Sequence, residues 1–203
     1  MKKIVLFAFA ISIIAVSCKK EEKTETPTET QEKVSGLMIV NDSTKVNWTA
    51  YKTTEKVAVG GSFTEITLKE TKKGNTPEEV LEGVSFSIPV SSLFTNNPDR
   101  DYKLKSIFFG ALKEKELLSG VLNFRDNKTF LTISINDMVK QIEVASNYSG
   151  KKFTLEGKID LVDFGAENAI EAINTACYDL HKGSDGISKT WSEVALKGSV
   201  LFE

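Results

Sequence analysis

The sequence predicts an all-β (mainly β) protein, namely an antiparallel barrel of eight strands with one amphipathic helix near the carboxyl terminus and a short helical interruption after the third strand. Apolar and polar residues alternate over eight separate segments, which is the pattern of strands with one buried face. Most connections between these segments have the composition of hairpin turns. Closing the sheet into a barrel would remove its exposed edges. A two-sheet sandwich is the alternative, because strand number alone does not separate the two.

Alternation defines the first three strands. The first is predicted over about 44–53, where Val46, Trp48 and Ala50 share one face. A second is predicted over 57–70, with a bulge or bend at the paired glycines early in it. A third is predicted over 84–90, with apolar residues at every second position.

A helical segment is predicted to interrupt the sheet after the third strand. The cluster Asn96-Asn97-Pro98-Asp99 ends the strand pattern. The following residues, 100–109, contain apolar residues at helical spacing. We interpret Arg100 and Asp101 as a local ion pair that holds this segment against the barrel, in preference to a catalytic couple.

Five more strands and one helix complete the predicted fold. The strands are predicted over 115–125, 131–135, 139–144, 153–161 and 194–202. Residues 125–128, Arg-Asp-Asn-Lys, form a hairpin turn between the first two of them. The period then changes from two to that of a helix, so an amphipathic helix is predicted over 165–180, with Asp163 as its cap.

Composition and charge exclude several classes of function. The chain has 203 residues and a formal net charge of −2, so it has no basic field with which to bind nucleic acid. His181 is the only histidine, and it is expected to be structural, at a helix end that stabilises a cation. Cys177 follows the apolar helix face and is expected to be a small buried residue. We therefore predict no enzyme, no metal site and no cofactor, with a hydrolase or metalloenzyme as a distant third hypothesis.

The amino-terminal residues predict export and lipidation. Residues 1–17 begin with two lysines and continue with an apolar run that is shorter than the roughly 20 residues of a membrane-spanning helix. They are predicted to be a signal peptide. Ala15-Val16-Ser17-Cys18 resembles the bacterial lipobox, so Cys18 is the predicted lipidation site and membrane anchor. The alternative is an ordinary signal peptide followed by an incidental cysteine.

Residues 18–38 are predicted to be a disordered charged linker, because they contain too few apolar residues to offset the entropy of ordering. Lys19-Lys20-Glu21-Glu22 is similar to the surface-export signal of lipoproteins in one Gram-negative phylum; the alternative is the start of a solvated linker. The expected location is the cell envelope of a Gram-negative bacterium, as an outer-membrane lipoprotein that faces the periplasm or the surface. The folded domain is predicted over 39–203.

Several motifs within about 40–203 resemble one known family. They are Gly61-Ser62-Phe63, Arg100-Asp101-x-x-Leu104 with Phe108-Phe109, Leu155-x-Gly-x-Ile159-x-Leu161-x-Asp163-Phe164, Cys177-Tyr178-Asp179-Leu180-His181 and Ser188-Lys189-Thr190-Trp191. The chain thereby resembles the lipoprotein branch of the YceI-like family of lipid- and polyisoprenoid-binding proteins. The resemblance implies a lipocalin-like barrel that holds an isoprenoid or fatty-acyl chain. Lys103 stands where the family often has a histidine, so no head-group preference is carried over.

The ligand is therefore expected to be a long apolar chain that lies inside the barrel. Seven aromatic residues of the predicted domain are together more than the core of a small barrel needs, namely Trp48, Phe63, Phe86, Phe108, Phe124, Phe153 and Trp191. The predicted lining consists of Trp48, Phe63, Phe86, Ile88, Leu104, Phe108, Phe124, Ile133, Phe153, Leu155, Ile159 and Trp191. The alternative is a structural or partner-binding surface lipoprotein whose barrel is filled by its own side chains.

Overall fold

The computed structural model describes residues 36–203, in which ten strands form one curled antiparallel sheet, so the prediction of a mainly β protein is confirmed. The strands are β1 Lys45–Lys52, β2 Val57–Phe63, β3 Thr67–Lys69, β4 Ser85–Pro89, β5 Leu93–Phe94, β6 Leu117–Arg125, β7 Lys128–Ile135, β8 Met138–Ser149, β9 Lys152–Asp160 and β10 Glu193–Leu201. Their order in the sheet is β3-β4-β6-β7-β8-β9-β10-β1-β2-β5. The predicted signal peptide, Cys18 and most of the predicted linker lie outside the described residues.

The predicted number of eight strands is wrong, because a bend divides the second predicted segment and a further short strand follows a bend after the third. The second predicted strand is interrupted at residues 64–66, which separates β2 from β3. The third predicted strand ends at Pro89, and a 3₁₀ turn at Val90–Ser92 leads into the short strand β5. Pro89 favours this break, since proline cannot donate a hydrogen bond to a neighbouring strand.

The chain segments 57–69 and 85–94 pair with each other on both sides of their bends. Phe63 on β2 pairs with Leu93 on β5, and β3 pairs with β4. At the bend itself, the backbone N–H of Thr64 donates to the carbonyl oxygen of Ser92, with 2.9 Å between N and O. The edge strands β3 and β5 therefore belong to the same two stretches of chain, 57–69 and 85–94.

Tight turns connect the central hairpins. Asp126 and Asn127 join β6 to β7 with φ angles of 52° and 59°, which confirms the predicted hairpin turn. Asn136 and Asp137 join β7 to β8 in the same way, with φ angles of 55° and 60°. Two-residue turns of this type require positive φ at both positions, and Asn and Asp tolerate that conformation.

A short helix, α1 Pro77–Leu81, precedes β4 and was not among the predicted elements. The hydroxyl oxygen of Thr76 accepts a hydrogen bond from the backbone N–H of Glu79, at 3.2 Å. Pro77 occupies the first helical position, where its missing N–H costs nothing. Val80 is fully buried, so this helix contributes to the core.

The predicted helical interruption is confirmed as helix α2 Pro98–Lys103, followed by one π-helical turn at Leu104–Phe108. The predicted ion pair between Arg100 and Asp101 is wrong. The carboxylate of Asp101 instead accepts hydrogen bonds from the backbone N–H and the hydroxyl of Thr95, at 2.8 and 2.6 Å. The ion pair of this helix joins Lys103 to Asp99, at 2.8 Å.

The predicted carboxyl-terminal helix is confirmed but is shorter than expected. Helix α3 spans Glu167–Ala176, and its buried residues face the core. Asp163 does not cap it. Asp160 caps a preceding 3₁₀ turn by accepting a hydrogen bond from the N–H of Val162, at 3.0 Å. A second 3₁₀ turn, Tyr178–His181, continues the apolar pattern beyond the end of α3.

Residues 36–38 pair with the folded chain. The backbone N–H of Leu37 donates to the carbonyl of Gly74 at 2.7 Å. Met38 exchanges backbone hydrogen bonds with Glu203 at 3.0 and 2.9 Å. No helix within the described residues is long and apolar enough to cross a membrane.

Candidate ligand-binding cavity

The curled sheet surrounds an apolar cavity of about 470 Å³. All the described strands except β8 contribute lining residues. The helical segment after β5, helices α1 and α3, the 3₁₀ turns on either side of α3 and a few loop residues contribute the rest. This volume lies within the ~300–1,000 Å³ range of small-molecule sites, which are typically concave and mostly apolar.

Alternation along each strand explains why the cavity wall is apolar. On β1, the residues Val46, Trp48, Ala50 and Lys52 occupy every second position and all line the cavity. On β9, Phe153, Leu155 and Ile159 do the same. Successive side chains on a strand point to opposite faces, so the same pattern leaves the outer face polar.

Eleven of the twelve predicted lining residues lie in the wall of this cavity, namely Trp48, Phe63, Phe86, Ile88, Leu104, Phe108, Ile133, Phe153, Leu155, Ile159 and Trp191. Phe124 is not among the lining residues; its ring packs edge-on against Phe153, with 6.1 Å between ring centroids. Contact of these residues with a lipid stays a prediction.

Other lining residues were not singled out in the sequence, although their signal was present. Leu122, Leu131 and Leu196 follow the same strand alternation as the predicted set. Ile170 and Ile173 come from helix α3, where their spacing of three identified the buried face but did not indicate a cavity.

Polar residues lie at the rim where β1 ends. Lys52 donates from its Nζ to the carbonyl of Leu180, at 2.9 Å. His181 lies beside it, with Nδ1 2.7 Å from the hydroxyl oxygen of Thr190. That hydroxyl donates to Oδ1 of Asn174, at 2.9 Å. Since a hydroxyl carries one proton, Nδ1 of His181 is the donor in the contact with Thr190.

The rim disfavours a charge on His181. Partial burial lowers the pKa of the imidazole below its ordinary value, and the positive charge of Lys52 lowers it further. This is the opposite of the cation that we expected at a helix end. His181 therefore acts as a neutral hydrogen-bonding group at the cavity rim, which is a structural role but not that of a cation.

Trp191 lies at the same rim, and its ring contacts both the cavity and two lysine side chains. Its Nε1 donates to the carbonyl of Thr53 at 2.8 Å, which fixes the ring. Nζ of Lys189 lies 3.6 Å and Nζ of Lys56 lies 5.0 Å from the ring centre. Both are within the range of cation–π attraction.

Cys177 lines the cavity as a buried free thiol, as predicted for a small core residue. In the part of the chain that the structure describes, Arg100 has no carboxylate within ion-pair distance. Among the same residues, no group of three His, Cys, Asp or Glu side chains is placed to hold a metal ion.

The fold and the cavity define a class of small proteins in which a curled antiparallel sheet surrounds an apolar cavity. Within this class, the chain belongs to the YceI-like family, because the model of the YceI-like domain matches residues 37–198. The predicted resemblance to the YceI-like family is therefore confirmed, and the assignment to its lipoprotein branch stays a prediction. YceI-like proteins are binding proteins and are generally non-catalytic.

Solved structures share the fold at low sequence identity. A polyisoprenoid binding domain from Saccharophagus degradans, implicated in plant cell wall breakdown, has a TM-score of 0.59 at 11% identity over 83% of this chain and 98% of the domain. BcnA from Burkholderia cenocepacia has a TM-score of 0.51 at 15% identity over 80% of this chain and 98% of its own. These likenesses establish the fold alone. A search of curated proteins found no match.

Proposed function

We propose that this protein binds one long apolar chain, a polyisoprenoid or a fatty-acyl lipid, inside its cavity, for carriage or sequestration in the cell envelope. The observation that carries the proposal is the apolar cavity of about 470 Å³ within the curled sheet. The description of the Saccharophagus degradans domain as polyisoprenoid binding supports the same class of ligand.

Hydrophobic burial alone can supply the affinity. Each methylene removed from water contributes about 0.8 kcal/mol, so a chain of ~16 carbons gains on the order of 13 kcal/mol before costs. Association and ordering of the chain remove a large part of this gain. The remainder is sufficient for micromolar or tighter binding without a strong polar contact, which fits a wall with few polar residues.

We further infer that the sheet acts as a closed barrel of eight bent strands. The support is that segments 57–69 and 85–94 pair with each other before and after their bends. If 57–69 and 85–94 are each counted as one bent strand, the sheet has eight strands. Every one of these strands then has a hydrogen-bonded neighbour on both sides. A barrel of eight strands is just wide enough to hold one elongated ligand.

Small residues in the wall favour this proposal over a structural protein with a filled barrel. A filled barrel needs large side chains at every inward position. The wall instead has Ala50 on β1 and Gly198 on β10, both in the cavity lining. The eleven cavity-lining residues predicted from the sequence are the proposed contacts of the ligand.

Lipid recovered from the purified protein tests this function. Full-length protein is expected to release a prenyl or acyl lipid on organic extraction, and native mass spectrometry is expected to show one such molecule per chain. The matched control is protein that has been delipidated and then incubated with geranylgeraniol, which should regain one bound molecule. Protein that yields no lipid and takes up no geranylgeraniol would contradict the proposal.

We also propose that acylated Cys18 attaches the protein to the outer membrane of a Gram-negative envelope, facing the periplasm or the surface. The support is the sequence of residues 15–18. Wild-type protein is expected to incorporate an alkyne-labelled fatty acid and to sediment with membranes. The variant Cys18→Ser should lose both properties, since one cysteine carries the anchoring chains. Equal labelling of both proteins would rule out this anchor.

A further inference from the structure

Large side chains in the cavity wall lie opposite glycines. Several residues that line the cavity have a glycine as the directly opposed residue on the neighbouring strand, and three such pairs bring a large side chain to within 3.0 Å of the position that a Cβ atom of the glycine would occupy. The pairs are Trp48 with Gly61, Phe86 with Gly120, and Leu155 with Gly198. They come from three different strand pairs, β1–β2, β4–β6 and β9–β10.

Each large side chain occupies the space that a Cβ atom of the opposed glycine would need. Such an atom would lie 2.6 Å from Cε2 of Trp48, 2.5 Å from Cζ of Phe86 and 3.0 Å from Cγ of Leu155. Directly opposed residues normally keep their Cβ atoms about 4.5–5.5 Å apart. The three side chains therefore lie over the neighbouring strand, along the wall of the cavity.

Glycine is unfavourable in the interior of a strand, because it loses more backbone freedom than other residues and has no side chain to pack. Its presence opposite three large residues of one cavity therefore needs a reason. An eight-stranded barrel is close to the size at which its own side chains fill the interior. In a barrel of this size, the room that is left when a large side chain lies over a glycine decides whether a lipid chain fits inside.

We propose that Gly61, Gly120 and Gly198 set the width of the cavity and make it wide enough for the methyl branches of a prenyl chain. The inference rests on the proposed function and names the ligand class more closely. A side chain at Gly61 or Gly198 would push Trp48 or Leu155 towards the cavity axis, and one at Gly120 would meet both the ring of Phe86 and the backbone carbonyl oxygen of Thr132. The narrower cavity would weaken the binding of a methyl-branched chain more than that of a straight chain of equal length.

Gly198→Ala is the most informative variant. The three atoms nearest to the new methyl group would be side-chain carbons of Leu155, at 3.0, 3.2 and 3.4 Å, so a shift of a few tenths of an ångström accommodates it. Gly60→Ala is the matched control. Gly60 is exposed, and its nearest atoms are the carbonyl oxygen of Trp48 at 3.6 Å and the hydroxyl of Thr49 at 4.0 Å.

The experiment compares the binding of geranylgeraniol with that of hexadecanol, which has a main chain of equal length but no methyl branches. We expect Gly198→Ala to bind geranylgeraniol about tenfold more weakly than the wild type does, as overpacking of a tight wall predicts, and hexadecanol within about twofold. Gly60→Ala should leave both affinities unchanged. Thermal unfolding of each variant confirms that the comparison is made on folded protein.

Leu155→Ala removes the large side chain opposite Gly198 and so widens the cavity, where Gly198→Ala narrows it. This second variant keeps the inference testable if Gly198→Ala does not fold. It should raise the affinity for geranylgeraniol relative to hexadecanol, and adding it to Gly198→Ala should restore the wild-type ratio. An unchanged ratio of the two affinities in both single variants would overturn the proposed role of the glycines alone. Failure of the wild type to bind either alcohol would overturn the proposed function as well.

Discussion

Replacing Ala50 with phenylalanine is expected to weaken the binding of geranylgeraniol roughly a hundredfold or more. Ala50 lies between Trp48 and Lys52 on the inward face of β1 and lines the cavity. A phenyl ring there would displace about four carbons of the bound chain, each worth about 0.8 kcal/mol. The loss of ~3 kcal/mol exceeds two powers of ten in affinity. Displacement of a fluorescent polyene fatty acid measures it.

The matched control is the same substitution on the outside of the neighbouring strand. Ala58 lies on β2, opposite Tyr51, and is exposed. Ala58→Phe should bind geranylgeraniol as the wild type does. Urea unfolding of both variants separates occupation of the cavity from loss of the fold. If Ala50→Phe stays folded and binds with wild-type affinity, the ligand does not lie in this cavity.

Phe153→Ala is expected to lower the free energy of unfolding by about 3–5 kcal/mol, the usual cost of removing a phenylalanine from a core. Phe153 is only 2% exposed, and its ring contacts that of Phe124. It also lines the cavity, so part of the loss should appear as weaker binding of geranylgeraniol. Urea unfolding with and without the alcohol measures the two parts separately.

Phe130→Ala is the control for this second prediction. Phe130 is on β7, half-buried on the opposite face from the cavity lining, with the guanidinium carbon of Arg125 4.7 Å from the centre of its ring. Its removal should cost only about 1 kcal/mol and leave binding unchanged, because it loses a surface cation–π contact and little burial. Equal destabilisation by the two variants would contradict a core and cavity role specific to Phe153.

Strand positions could be predicted from the sequence because alternation is a local signal. The predicted strands over 44–53, 153–161 and 194–202 agree with β1, β9 and β10 to within one residue at each end. The same alternation identifies most of the cavity wall, since an inward position is apolar whether it faces a core or a cavity. The pattern does not show whether the interior is empty, because that depends on the small residues opposite the large ones.

The bends between β2 and β3 and between β4 and β5 could not be predicted, because they arise from pairing between segments that are distant in sequence. The hydrogen bond from Thr64 to the carbonyl of Ser92 is one example. Arg100 and Asp101 show a different limit: adjacent residues on a helix do not face each other, so proximity in sequence did not make an ion pair. The start of α1, Thr76 followed by Pro77 and two glutamates, is typical of a helix, although no helix was predicted there.

The pairing of Met38 with Glu203 brings the start and the end of the folded chain to the same place. β1 has eight residues, so Lys52 at its far end lies about 25 Å away from its start. A reporter protein or affinity tag fused to the carboxyl terminus would therefore sit at the opposite pole of the folded domain from His181 and Lys52. Immobilising the protein through its carboxyl end should leave that pole unobstructed for lipid exchange.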